Sequence, residues 1–125
     1  MQRRIPVAVL VLLGVVAFGW TPSGAEEKLQ KLTGAQIRSK LVGMELTDQV
    51  HGRELYARNG SWTSTSMGRK SIGKWRIERD QLCVEIEKAP PAKCYEVWGS
   101  GQNIELRREG MLPLQGVVQK PSQQN

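Results

Sequence analysis

After Gly43 the chain changes to a period of two and keeps it almost to its end. Short alternating runs span Met44–Val50, Arg53–Arg58, Ser61–Met67, Ile72–Glu78, Gln81–Ile86, Cys94–Trp98, Asn103–Arg107 and Leu114–Val118. Turn signals separate them: Asn59-Gly60, Gly68, Arg79-Asp80, Gly99-Ser100-Gly101 and Glu109-Gly110. Alternation with period two places one side of each run on a core and the other toward water. Asn-Gly between two such runs is the strongest short hairpin signal. The expected fold is mainly β: a small antiparallel barrel or sandwich of seven or eight short strands. One N-terminal helix precedes it.

Cys83 and Cys94 set the register of one hairpin. Leu82, Val84 and Ile86 alternate with Cys83 and Glu85, and Tyr95 and Val97 alternate with Cys94 and Glu96. Placing Cys83 opposite Cys94 puts Leu82 opposite Tyr95, so the apolar faces coincide and Pro90-Pro91 falls in the loop. Two cysteines in an exported chain pair as a disulfide. Free thiols acting as a nucleophile or as metal ligands are the rival reading. It lacks a CxxC spacing and a second ligand cluster.

The helix signal lies at Leu32-Thr33-Gly34-Ala35-Gln36-Ile37. Thr33 with Gln36 three residues on forms a capping box, and Leu32 can staple to Ile37. Ile37 and Leu41 give one narrow apolar stripe, and Gly43 suits the position after the last turn. A helix of about ten residues does not persist alone and must dock. In Gly73-Lys74-Trp75-Arg76-Ile77, Trp75 and Ile77 share a face with Gly73, while Lys74 and Arg76 face away. Trp75 is then a core anchor with Gly73 relieving crowding beside it, or else a tryptophan lining a ligand mouth.

Residues 1–25 read as a cleaved secretory signal: Arg3-Arg4, then fourteen largely apolar residues from Ile5 to Phe18, then small residues at Ser23 and Ala25. The run is shorter than the roughly 20 residues of a membrane span. Expected units are therefore the signal (1–25), a single helix-plus-β domain (26–118) and a disordered polar tail (119–125). The expected location is the periplasm or the exterior. Without Arg3 and Arg4 the chain carries 16 Lys and Arg against 12 Asp and Glu, a net charge of +4. That balance favours an anionic surface or partner and falls short of a nucleic-acid footprint.

Gly73-x-Trp75-x-Ile77, Leu82-Cys83 and Cys94-Tyr95 together resemble the signature of small secreted proteobacterial proteins described as domains of unknown function. The likeness spans most of residues 30–107 and implies a helix followed by an antiparallel β domain. The plan of a short, signal-bearing, disulfide-stapled barrel is also similar to periplasmic inhibitors of metalloproteases and of lysozyme. The long N-terminal inserting segment of such protease inhibitors has no counterpart in Glu26–Leu32.

Chemistry-bearing residues are few. His51, the single histidine, would be the base of any Ser-His-acid system, but Val50-His51-Gly52 reads as a solvated turn. Glu85, Glu87 and Glu96 fall near the cysteine hairpin on its outer face, where no cleft for a carboxylate pair is expected. Arg69, Lys70, Lys74, Arg76 and Arg79 form the strongest candidate, a site for an anion or a partner. The competing reading is a solvated face whose charges block edge pairing. No catalytic residue, cofactor or metal is expected. The function expected is a non-enzymatic exported binding module for a protein or an anionic envelope component, with a periplasmic hydrolase inhibitor as the alternative. An inhibitor would present a protruding loop at Glu87–Lys93 or Gly99–Asn103.

Overall fold

The structure is a computed structural model describing residues 28–122 and the isolated positions 2, 14, 15 and 19. Apart from those positions, the expected signal segment lies outside the described residues, as do the last three residues of the expected tail. The elements run β1 (Gln30–Lys31), α1 (Gly34–Leu41), β2 (Met44–Thr47), β3 (Gly52–Tyr56), β4 (Ser61–Ser66) and β5 (Arg69–Glu78). They continue with β6 (Gln81–Ile86), β7 (Ala89–Ser100), β8 (Asn103–Arg107) and β9 (Leu114–Gln119). From β2 to β9 each strand pairs antiparallel with the next, and β9 returns to β2 through Leu46↔Val118. The sheet is thus a closed up-and-down barrel rather than a sandwich, and closure leaves no long edge for another chain to pair with. Among the described residues, no helix is long and apolar enough to cross a membrane.

Cross-strand register identifies the inner face. Leu46, Tyr56, Trp62, Trp75, Leu82, Val84, Val97, Ile104, Leu106 and Val118 occupy core positions of the eight strands and are buried together. Trp75 is the anchor: it is 5% exposed, meets Tyr56 edge-on at 5.6 Å, and donates its indole N–H to the Ala57 carbonyl at 2.8 Å. Gly73 is needed for a different reason from the one expected. A Cβ there would lie 2.1 Å from the Glu85 carbonyl oxygen, so it admits the close approach of the β6 backbone rather than relieving Trp75.

Helix α1 closes one end of this barrel. Thr33 and Gln36 form the capping box, and Ile37 and Leu41 are fully buried in the core. Gly34 N–H donates to Asp80 of the β5–β6 turn at 2.7 Å, and Lys40 Nζ reaches the Gly101 carbonyl of the β7–β8 turn. The helix is thus pinned at both ends across the opening. Gly43 leaves it at φ +73°, and its N–H donates to the Tyr56 carbonyl. Arg38 lies over the Trp75 ring at 5.5 Å.

The cysteine register is the one expected: Leu82↔Tyr95 and Cys83↔Cys94 pair, and the sulfurs are bonded at 2.02 Å. The prolines are not in the turn. Residues 87–88 make the turn, and Pro90 and Pro91 open β7, where Pro90 to Ala92 oppose the single residue Glu85 between two paired positions. A bulge asks no ladder N–H of them. Gly99 and Ser100 likewise belong to β7 rather than to a turn. This long strand pairs β6 with its first half, and β1 continues that edge through Lys31↔Trp98. The helix has eight residues rather than ten. Val50 lies outside β2, which ends at Thr47. Strand β9 runs to Gln119, one residue beyond the expected Val118 boundary, and Ser122 donates to the buried Glu45 carboxylate.

Candidate functional site at the open end of the barrel

The end opposite α1 is formed by turns 48–51, 67–68 and 87–88 and by loop 108–113. Inside it the core changes character. Leu46, Glu54, Ser64 and Ser71 are successive cross-strand partners, and Gly52, Ser66 and Arg69 form the next row toward the mouth. A pocket of about 330 Å³ opens there, walled by Glu54, Ser64 and Ser66 on one side and by Leu106, Leu114 and Gly116 on the other. Its size is at the lower end of the range for small-molecule sites.

Glu54 stands where the wall turns from apolar to polar. It is half-buried, and its Oε2 accepts the Tyr56 hydroxyl at 2.5 Å. Burial pushes the Glu54 carboxyl above the usual carboxylate range, opposed by the Tyr56 hydroxyl and by the nearby Trp62 indole. Burial, reinforced by the Glu54 charge, raises the Tyr56 phenol well above its ordinary value. The Trp62 Nε1–H is buried and, among the described residues, completes no hydrogen bond. An unpaired buried donor costs about 1–3 kcal/mol.

At the rim, Asp48 organises the β2–β3 turn by accepting the backbone N–H groups of Val50, His51 and Gly52. It also pairs with His51 Nδ1 at 2.8 Å. The backbone N–H of His51, followed by its ring, holds the Asp48 carboxyl well below the usual range. Asp48 and His51 line the same pocket as Ser64 and Ser66. Among the described residues, however, no hydrogen bond joins His51 to a serine.

The open end also gathers exposed apolar side chains: Val50 (79% exposed), Met67 (80%) and Leu112 (87%), with Met111 and Leu114 beside them. Val50 and Met67 line one groove of this end. Leu114 shares the mouth pocket with His51. The opposite end carries α1 instead.

The five expected basic residues are all exposed but are not brought together. Lys74 and Arg76 share the outer face of β5, Arg69 and Lys70 stand at the open end, and Arg79 sits in the turn beneath α1. Ten residues of strand separate the extremes by about 30 Å. Arg76 is engaged by Glu78 at 3.0 Å. Glu85 and Glu96 lie on the outer face and Glu87 in a turn. Glu96 accepts the Trp98 indole N–H and pairs with Lys31, and these contacts hold its carboxyl below the usual range. Glu78 approaches both sulfurs, but these are joined in the disulfide and offer no thiolate. Trp75 is buried with its indole N–H bonded to the Ala57 carbonyl, which favours the core-anchor reading over a ligand mouth. The mouth pocket itself was missed by sequence reasoning. Its available signal was a glutamate two residues before Tyr56, in the phase of a core residue.

No protein-family model, no curated protein and no solved structure matches the chain.

Proposed function

We propose that this chain is an exported, non-enzymatic binding module that attaches to an anionic envelope surface through the open end of its barrel. The observation that carries this reading is sidedness. Val50, Met67, Met111 and Leu112 project from three connections of one end, and Arg69, Lys70, Lys88 and Arg108 flank them. Apolar tips with neighbouring Lys and Arg suit an interface in which tips enter the headgroup boundary and cations meet anionic groups. The disulfide agrees with an oxidising compartment.

Co-sedimentation of the exported protein with anionic vesicles tests this. Retention should be strong at low salt and fall toward physiological salt, because exposed charges are screened over about 8–10 Å. The pair Met67→Asp and Leu112→Asp should lose retention, as should Arg69→Gln with Lys70→Gln. Lys28→Gln with Arg79→Gln should retain it. Equal losses from both basic pairs would mean that net charge alone acts, and the proposal would fall.

The alternative, a periplasmic inhibitor of a protease or lysozyme, draws less support. Its two candidate segments supply only two-residue turns at 87–88 and 101–102, because residues 89–100 are strand. Such an inhibitor would have to use loop 108–113.

A further inference from the structure

We infer that the mouth pocket receives an aminoethyl phosphate group, its ammonium directed to Glu54 and its phosphate left at the rim. This inference rests on the open end being the binding end and names the chemistry recognised there.

Three features lead to it. The wall carries a carboxylate whose nearest described partners are both neutral, the Tyr56 hydroxyl on Oε2 and the Trp62 indole. A compact ammonium with three donors answers that shortage of positive charge. The hydroxyls of Ser64 and Ser66 line the same pocket and have no described partner, so they remain available as acceptors for further N–H groups. Polarity then reverses toward solvent. Arg53 also lines the pocket, and Arg69 stands opposite Ser66 in the row nearer the mouth. Asp48 also lies at that rim, but it is already engaged by three backbone N–H groups and the His51 ring. A carboxylate at depth with cations at the mouth orients a zwitterion ammonium first. An anion alone would meet Glu54, and an apolar ligand would leave the serines and the carboxylate unanswered.

The same chemistry is offered by free O-phosphoethanolamine and by an ethanolamine phospholipid headgroup. The test follows the Trp62 indole N–H resonance of the disulfide-bonded protein during titration. O-phosphoethanolamine should shift it saturably, with a dissociation constant on the order of 1 mM for so small a ligand. Inorganic phosphate and ethanol should not shift it in that range. Glu54→Gln should weaken binding at least tenfold while the other indole resonances keep their positions. Ser64→Leu, which narrows the pocket while keeping the carboxylate in the chain, should weaken it as well. Vesicles containing phosphatidylethanolamine that broaden or shift the resonance in a Glu54-dependent way would identify the lipid as the source. An effect confined to the soluble compound would identify the free molecule. Equal binding by Glu54→Gln, or an equal shift with phosphate alone, would overturn the inference. Loss of vesicle retention in the Met67 and Leu112 variants is read separately, so failure of the pocket chemistry and failure of the docking end are distinguishable.

Discussion

Replacing Trp75 with alanine probes the barrel at its most connected point. The indole is 95% buried, meets Tyr56 edge-on, lies beneath Arg38 and holds the Ala57 carbonyl. Deleting a buried tryptophan costs about 3–5 kcal/mol in lost transfer energy and residual cavity. The upper half of that range applies, because the Ala57 carbonyl also loses its indole donor. A domain's total stability is about 5–15 kcal/mol, so the variant should be marginal. With a urea m-value near 2 kcal/mol/M, the unfolding midpoint should drop by about 2 M at unchanged m. Trp75→Phe keeps a ring against Tyr56 but loses the N–H, and should fall in between. Lys74→Ala, one residue away on the outer face, should move stability by less than about 0.5 kcal/mol. Urea unfolding followed by far-UV circular dichroism measures all three. A Trp75→Ala midpoint within about 0.5 M of the parent, at the same m, would refute Trp75 as the anchor.

Thiol titration of native exported protein should find no free cysteine, and reduction should remove roughly 2–3 kcal/mol. At about 4–8 °C per kcal/mol for a domain of this size, the melting temperature should fall by at least about 8 °C. Asp80→Ala removes the acceptor of the Gly34 N–H and should cost about 1 kcal/mol, as for other N-terminal helix contacts. The thermal unfolding midpoint reports this loss, and an unchanged midpoint would mean α1 is held by its apolar face alone. The raised pKa of Glu54 predicts a pH effect of definite sign. The unfolded carboxyl, near 4.5, ionises before the folded one, so the contribution is fully present below pH 4.5 and is lost as pH rises through the folded value. Melting curves from pH 4 to 8 should therefore show Glu54→Gln gaining on the parent as pH rises. A constant difference would show that Glu54 is not desolvated.

Much of the fold was legible in the chain because local and long-range signals agree. Cys83, Cys94, Leu82 and Tyr95 admit one register, and Thr33 with Gln36 marks the helix start without reference to anything distant. What escaped depended on tertiary partners. Gln30 and Lys31 carry no apolar pattern and become a strand only because β7 outruns β6 and leaves an edge to fill. Pro90 and Pro91 read as loop until a bulge supplies positions that need no N–H. The mouth pocket was hidden by the composition of β3 and β4. Apart from Trp62, Ser61-Trp62-Thr63-Ser64-Thr65-Ser66 is polar on both faces, and in Glu54-Leu55-Tyr56 either phase could be the inner one. Only the register Tyr56↔Trp62 and Glu54↔Ser64 turns the carboxylate inward. The basic cluster, compact in sequence, is spread by an extended strand, which carries Arg69 and Arg79 to opposite ends of the barrel.

The sidedness of the barrel can be read directly with an environment-sensitive fluorophore attached at one end or the other. Met67→Cys and Arg79→Cys, each labelled with the native disulfide intact, place the probe at the open end and beneath the helix respectively. On addition of anionic vesicles at low salt, the emission at position 67 should shift to the blue and resist aqueous quenchers. The emission at position 79 should keep its aqueous wavelength. A blue shift at position 79 with none at position 67, or equal shifts at both, would contradict docking through the open end.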